Sequence, residues 1–159
     1  MGAMPVSEAR HPVVTVLMPV FNGQDHLREA VESILGQTFS SFELLVVNDG
    51  STDDTDDILA RYAAKDERVR VVYQPNAGIV AALNTGIDLA EGTYIARMDA
   101  DDIADLRRLE IQVTYMEANP SCVACGSDYE LIGAKRGYVK TPRTNDACKA
   151  QLLLKSCFA

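Results

Sequence analysis

The sequence predicts an α/β fold with a mostly parallel central sheet, and three observations support this prediction. Short apolar runs rich in β-branched residues recur along the chain. Between them, apolar residues recur at the spacing of a helix face. Turn-forming stretches such as residues 48–51 separate the two kinds of segment. Strands that alternate with helices form right-handed crossover units around such a sheet.

The predicted elements follow one another in a regular order. Apolar runs predict buried strands at residues 13–18, 42–47, 69–73, 93–98 and 122–126. Apolar stripes predict helices around residues 27–35, 52–62, 79–90 and 106–116. Pro19 is expected to end the first strand, and Asn119-Pro120 the last helix.

Charge and hydropathy exclude several classes of protein. Fifteen Lys and Arg residues against 23 Asp and Glu residues give a net charge of −8, which argues against a nucleic-acid partner. The longest apolar stretch, residues 13–21, is too short for a transmembrane segment. Residues 1–12 lack the apolar core of a signal peptide and are interpreted as an N-terminal extension or an expression remnant. We therefore expect a cytoplasmic protein.

Two of the four cysteines, Cys122 and Cys125, have the spacing of a metal site. Residues three apart on a predicted strand point to opposite faces, and no second Cys pair or His pair accompanies them. Buried thiols in a reducing compartment are therefore the preferred interpretation.

Three turns are predicted to meet at one edge of the sheet, because each follows a strand: residues 19–23, 48–51 and 99–102. Ligands of parallel sheets bind beyond the carboxyl ends of the strands. Neither a dinucleotide-binding glycine pattern nor a P-loop follows the first strand. The ligand must therefore be held by other groups in these turns.

The last turn places three carboxylates in four residues, at Asp99, Asp101 and Asp102. Carboxylates this close repel one another, and a hard cation removes the repulsion. Mg²⁺ or Mn²⁺ takes one or two protein carboxylates and fills its other positions with water and phosphate oxygens. The alternative is a solvated turn that caps the next helix. The apolar strand before the turn and its place at the ligand edge favour the metal.

Four other residues near these turns each allow two interpretations. Asp49 accepts a hydrogen bond from a ligand, or only forms an Asx turn. Phe21 stacks on a base or lines the core, and Asn22 contacts a ligand or caps the next helix. Arg97 binds an anionic ligand group or pairs with a neighbouring Asp.

Five segments occur together in order: Val16-Leu-Met-Pro-Val-Phe-Asn-Gly23, Gln37-Thr-Phe39, Asn48-Asp-Gly-Ser-Thr-Asp53, Asn76-Ala-Gly78 and Arg97-Met-Asp-Ala-Asp-Asp102. On these segments the chain resembles a family 2 glycosyltransferase with the GT-A fold over residues 13–131. The resemblance implies a Rossmann-like αβα sandwich that binds a nucleoside-diphosphate sugar, most often linked to UDP. It implies a transferase of hexosyltransferase type.

The resemblance also implies roles for individual residues. The implied nucleotide-sugar site comprises Pro19, Val20, Phe21, Asn22, Asp49, Asn76, Gly78, Arg97, Asp99 and Ala100. Within it, Asp49 meets the base and Asp99 approaches the ribose and the donor sugar. The implied ligands of Mn²⁺ or Mg²⁺ are Asp101 and Asp99.

The reaction implied is inverting transfer to the hydroxyl of a glycan, a lipid-linked or another acceptor. A carboxylate base deprotonates that hydroxyl, and the metal stabilises the departing diphosphate. No acid between residues 128 and 159 has the context of that base, so we expect it beyond Ala159. Residues 132–159 would begin an acceptor-side segment, and this chain alone would bind donor with doubtful turnover. For the full protein, association with the inner face of the membrane stays an alternative to a purely cytoplasmic location.

Two alternatives stay open at this point. A sugar nucleotidyltransferase shares the fold class and the metal, but it needs a basic loop after the first strand, and residues 19–23 hold no cation. A non-catalytic module that binds nucleotide and metal is favoured by the missing base.

Overall fold

The computed structural model describes residues 11–133 and 136–152 and confirms the α/β class. The chain divides after Glu110 into two compact units. The elements in chain order are β1 (Val14–Val20), α1 (Leu27–Leu35), β2 (Phe42–Asn48), α2 (Thr55–Ala63), β3 (Val69–Tyr73), α3 (Ile79–Leu89), β4 (Tyr94–Arg97), α4 (Arg108–Ala118), β5 (Tyr129–Leu131), β6 (Gly137–Val139) and α5 (Asn145–Leu152). In the part of the chain described, no helix combines the length and apolar character needed to cross a membrane.

The first four strands form one parallel sheet in the order β3-β2-β1-β4. Every residue of the two central strands is buried, which explains why they are continuous apolar runs rather than alternating patterns. The chain moves outward from β1 to β3 and then returns to place β4 on the other side of β1. The strand order therefore reverses beside β1, and a ligand crevice is expected at its carboxyl end.

The buried face of α1 matches the stripe that the sequence predicts, but that of α3 does not, because Ile79 and Ile87 of the predicted stripe are exposed. On α1, the buried residues are Leu27, Ala30, Val31 and Ile34. Ala82 of α3 packs in a cluster with Leu17, Leu45 and Val47 of the central strands. Gly86 permits this approach, because a Cβ there would lie 2.1 Å from Leu17 Cδ1. Burial of these side chains supplies the main stabilisation of the first unit.

The predicted end of the first strand at Pro19 is wrong, because β1 continues to Val20. Leu17 O accepts from Met98 N at 3.0 Å, so the odd-numbered residues of β1 face β4. The N–H that Pro19 lacks is therefore missing on the β4 side. On the other side, Val20 O still accepts from Asp49 N at 2.9 Å. Pro19 ends only the ladder to β4, whose last paired residue is Arg97.

The predicted strand at residues 122–126 is also wrong. That stretch has no regular structure, and Val123 is 96% exposed. A strand is stabilised by pairing with a neighbouring strand and by burial of its apolar side chains, and this stretch has neither. The next strand is β5, which pairs antiparallel with β6.

The thiols near that stretch are half-buried rather than buried. Cys122 Sγ donates to Ala124 O at 3.2 Å, and Cys122, Cys125 and Cys148 form no disulfide. Because Cys122 and Cys125 do not lie on a strand, the argument from opposite strand faces does not apply to them. Cys157 lies outside the described residues.

Candidate functional site

The three predicted turns come together at the carboxyl edge of the sheet. Asn22 N donates to Ser51 Oγ at 2.9 Å, which joins the turn after β1 to the turn after β2. A Cβ placed at Gly23 would lie 3.9 Å from Ala100 Cβ, so the turn after β4 adjoins the same place. The site is thus assembled from segments far apart in sequence by the parallel topology alone.

Asn22 fixes the geometry between the first two turns. Its φ of 52° lies in the left-handed region, which Asn tolerates better than most residues. Its Oδ1 accepts from Thr52 N at 2.8 Å, so Thr52 belongs to the turn and α2 begins later, at Thr55. The alternative that Asn22 caps α1 is wrong, because the residue at that position is His26.

The other residues of the first turn differ in what they expose. Phe21 is 52% exposed, so it lies at the rim and not in the core. Pro19 and Val20 are buried. They therefore shape the floor of the site, while Phe21 is its one large apolar contact in this turn.

Asp49 is only 3% exposed, yet it holds an ionised carboxylate. Oδ1 accepts from Gln74 Nε2 at 2.7 Å and from Ala77 N at 2.9 Å, while Oδ2 accepts from Gly78 N at 2.8 Å. Burial raises the pKa of Asp49, but these three hydrogen bonds outweigh burial and hold the pKa below its ordinary value. The carboxylate also lies at the N-terminus of α3, where the helix dipole favours a negative charge.

The loop after β3 packs directly on the turn after β2. Gly50 has a φ of +74°, and a Cβ there would lie 2.7 Å from Asn76 N. Gly78 has a φ of +85° at the start of α3, which brings its N–H onto Asp49. Asn76 and Gly78 themselves are exposed. The loop at residues 75–78 therefore borders the site, and its hydrogen bonds to Asp49 fix its position.

An open cleft of about 320 Å³ lies beside Asp49, at the carboxyl ends of β2 and β3. Its lining residues are Asn48, Gly50, Ser51, Asp56, Tyr73, Gln74 and Pro75. Asn48 Nδ2 donates to the Asp56 carboxylate, which closes the α2 side. The cleft extends the crevice away from the acidic turn.

Arg97 pairs with Asp99, which is one of the two outcomes expected for it. Nη2 donates to the two carboxylate oxygens at 2.7 and 3.0 Å. The two side chains are 49% and 40% exposed, so the pair lies at the surface. Asp99, one of the two predicted metal ligands, is therefore already engaged in an ion pair.

Asp101 differs from Asp99. It is exposed, and within the described residues its carboxylate has no hydrogen-bond donor and no ion-pair partner. Asp102 N donates to Asp99 O at 3.2 Å, which closes the turn. Loss of water around Asp102, and then the charges of Asp99 and Asp101, raise the pKa of the Asp102 carboxyl. The carboxylates of this turn therefore repel one another, and that of Asp101 has no partner within the described residues.

The described residues contain no cluster of three or more His, Cys, Asp or Glu side chains arranged around one metal ion. A single free carboxylate fits the other mode of Mg²⁺ or Mn²⁺ binding, in which phosphate oxygens and water complete the coordination. The residues present therefore fit a metal that arrives with a diphosphate, with Asp101 as its first protein ligand. The metal site stays a prediction.

Sequence reasoning assigned no role to Gln37, although it lies in one of the five motif segments. The buried Gln37 amide donates to Asp105 O at 2.7 Å and accepts from Leu109 N at 3.0 Å. It thereby ties the end of α1 to the segment after the acidic turn. Gln74, which holds Asp49, was also missed. The signal in both cases was a long amide side chain within two residues of the end of a helix or strand.

Comparison with known proteins agrees with this geometry. The profile described as glycosyl transferase family 2 matches residues 15–155. An uncharacterized glycosyltransferase of Haemophilus influenzae is 38% identical over 145 residues, which are 89% of this chain and 45% of that protein. The putative teichuronic acid biosynthesis glycosyltransferase TuaG of Bacillus subtilis is 38% identical over 122 residues, covering 76% of this chain and 48% of TuaG.

Two solved glycosyltransferases share the fold. S. aureus TarS 1–349 in complex with UDP-GlcNAc has a TM-score of 0.64 at 27% identity, over 67% of this chain and 32% of that one. The mannosyltransferase PcManGT of Pyrobaculum calidifontis, in complex with GDP-Man and Mn²⁺, has a TM-score of 0.64 at 25% identity, over 78% of this chain and 36% of that one. The predicted GT-A fold is confirmed.

The family match also disfavours the nucleotidyltransferase alternative. This chain spans less than half the length of the relatives named above, whose shares are 45% and 48%. The family match covers residues 15–155, which include the three turns at the carboxyl edge of the sheet and the segment after the acidic turn. The chain belongs to glycosyl transferase family 2.

Proposed function

We propose that this chain binds the nucleoside-diphosphate sugar, most often UDP-linked, for an inverting hexosyl transfer to an acceptor hydroxyl. The observation that carries the proposal is the contrast within one crevice. Asp49 and Asp99 already have partners, while Asp101 stands exposed and uncommitted beside the turn after β1. One free carboxylate at this point suits a metal that accompanies a diphosphate.

The acidic turn would receive the diphosphate end of the donor. Asp101 would hold Mn²⁺ or Mg²⁺, and Asp99 would join it or meet the donor sugar once Arg97 turns away. When bound, the metal neutralises charge on the departing nucleoside diphosphate. Arg97, half exposed at the same edge, would then offer its guanidinium to a phosphate oxygen.

The base end of the donor would lie over Asp49 and Phe21. Oδ2 of Asp49 has one hydrogen-bond partner, so it keeps an acceptor position for a ring N–H. Uracil and guanine both present such an N–H, which agrees with the UDP-GlcNAc and GDP-Man bound by the two structural neighbours. Phe21 supplies an exposed ring face for stacking.

Asp128 is a poor candidate for the base that activates the acceptor. Its carboxylate accepts from Tyr138 OH, from Thr141 N and Oγ1, and from Arg143 Nη2. The Thr141 N–H and the Tyr138 hydroxyl, despite some desolvation, hold the pKa of Asp128 below its ordinary value. A carboxylate so stabilised is a weak base. We propose that the base lies in the part of the relatives' length that this chain does not span.

Calorimetry of UDP binding with Mn²⁺ or with EDTA tests the proposal. We expect the wild type to bind UDP at least about tenfold more tightly with Mn²⁺, since unscreened carboxylates repel a diphosphate. Asp101→Asn should lose most of this metal dependence. Asp88→Asn, an exposed site at the end of α3 with the same change in charge, is the control and should behave as the wild type.

Two results would overturn the proposal. One is UDP binding of equal strength with and without metal in both the wild type and Asp101→Asn. The other is the absence of any nucleoside-diphosphate binding, with UDP and GDP both tried. Binding of GDP in place of UDP would change only the donor base.

A further inference from the structure

Gln74, directly after β3, links Asp49 to the middle of α3. Its Nε2 donates to Asp49 Oδ1 at 2.7 Å, and its Oε1 accepts from Thr85 Oγ1 at 2.8 Å. The backbone of Gln74 is fixed as well, because its N–H donates to Asn48 O at 3.0 Å. A continuous hydrogen-bonded chain thus runs from Thr85 through Gln74 to Asp49.

The direction of this chain follows from the chemistry of its members. An ionised carboxylate only accepts hydrogen bonds, so the Gln74 amide must turn its NH₂ group toward Asp49. The amide oxygen then points to α3, where it needs a donor. The Thr85 hydroxyl is that donor, and it fixes which way the amide faces.

The carboxylate is consequently held on three sides. Gln74 and Ala77 occupy Oδ1, and Gly78 occupies one of the two acceptor positions of Oδ2. The position left on Oδ2 has a direction set by the other three bonds. Gln74 supplies the only side chain among those three donors, so it is the one that substitution can remove cleanly.

We propose that Gln74 and Thr85 are positioning residues, which orient the open acceptor position of Asp49 toward the nucleobase of the donor. The proposal rests on the nucleotide-binding role proposed above. Neither residue needs to touch the ligand. Their effect reaches it through the carboxylate and through the loop at residues 75–78, which the same carboxylate holds.

The test compares Thr85→Val, which keeps the shape but removes the hydroxyl, with Thr85→Ser, which restores the donor. Binding of UDP and of inorganic pyrophosphate is measured by calorimetry with saturating Mn²⁺. Thr85→Val should weaken UDP binding by roughly threefold to tenfold, the effect of one hydrogen bond, and leave pyrophosphate binding unchanged. Thr85→Ser should bind UDP within about twofold of the wild type.

Amide hydrogen exchange at Ala77 and Gly78 gives a second readout that needs no nucleotide. Both amides donate to Asp49, so they should exchange faster in Thr85→Val and at the wild-type rate in Thr85→Ser. Unchanged exchange in Thr85→Val would overturn the proposal. So would equal losses of UDP and pyrophosphate affinity, which indicate a general loss of structure.

The two proposals fail in different ways. If the wild type binds no nucleoside diphosphate, the proposed function fails, and the exchange rates alone decide whether Thr85 and Gln74 order Asp49. If the wild type binds UDP and Thr85→Val binds it equally well, only the positioning role is lost.

Discussion

Arg97 Nη2 lies 2.7 and 3.0 Å from the two carboxylate oxygens of Asp99, where β4 runs into the acidic turn. Both side chains are about half exposed, so the pair contributes at most about 1 kcal/mol. We expect a pair this weak to lower the affinity of Asp99 for a metal only several-fold, and to be displaced if a metal and a diphosphate bind together.

Arg97→Met should therefore raise the affinity for Mn²⁺ in the absence of nucleotide, by roughly threefold, because it frees Asp99 and removes a nearby positive charge. The same change should weaken UDP binding in the presence of metal, since a phosphate partner is lost. Isothermal calorimetry measures both. Arg107→Met, which removes an exposed ion pair with Glu110, is the matched control. A loss of affinity for both ligands would contradict this account of Arg97.

Gln37→Leu should destabilise the protein by about 2 kcal/mol, because it leaves the buried N–H of Leu109 without its acceptor and removes the partly buried hydrogen bond to Asp105 O. Urea unfolding followed by circular dichroism measures the change. Gln24→Leu is the control, because Gln24 also accepts from a backbone N–H but is exposed. Equal effects of the two substitutions would show that the buried bridge adds nothing.

Asp49→Asn should reduce stability at neutral pH and matter less in acid. The folded-state pKa of Asp49 is lowered, so its contribution is present above the unfolded value, near 3.8, and is lost as pH falls below it. Thermal midpoints of the wild type and Asp49→Asn should therefore differ at pH 7 and converge below about pH 3.8. Asp88→Asn reports the effect of the charge change alone. A constant difference between wild type and Asp49→Asn down to pH 2.5 would refute the prediction.

Gly92→Ala should cost about 3 kcal/mol, since overpacking against a rigid backbone has few ways to relax. A Cβ there would lie 2.3 Å from Thr15 N and 2.7 Å from Val14 C. Gly36→Ala is the control, because Gly36 has a φ of −81° and its Cβ would meet only Glu32 O at 3.2 Å. Its cost should stay below about 1 kcal/mol. Urea unfolding of both variants checks the difference.

The fold, and the meeting of three turns at one edge of the sheet, could be predicted from sequence because buried parallel strands have continuous apolar sequences. The same signal failed at residues 122–126, where an apolar residue such as Val123 is not covered. Apolar composition states what a segment can bury, and only the tertiary structure decides whether a layer is there to bury it against.

Partner choice was beyond the sequence for a different reason. Arg97 had two possible partners, and only the turn geometry brings Asp99 within reach. Gln37 meets Leu109 across 72 positions of the chain, and Gln74 meets Asp49 across 25. A Gln side chain can form hydrogen bonds with many kinds of polar group. Its partner therefore depends on which distant segment the fold places next to it.

The strand order has a consequence for how the site is assembled. Val14 pairs on one side with Phe42 and on the other with Tyr94, so β1 and β2 meet by closing a short stretch of chain and β4 joins across a much longer one. Contacts between distant segments form late in folding because the loop they close costs more entropy. The Asp49 end of the crevice should therefore form early, and the acidic turn should reach it only when β4 docks. By then the rest of the sheet has already formed. The mutual repulsion of the carboxylates in the acidic turn therefore does not oppose the first collapse of the chain.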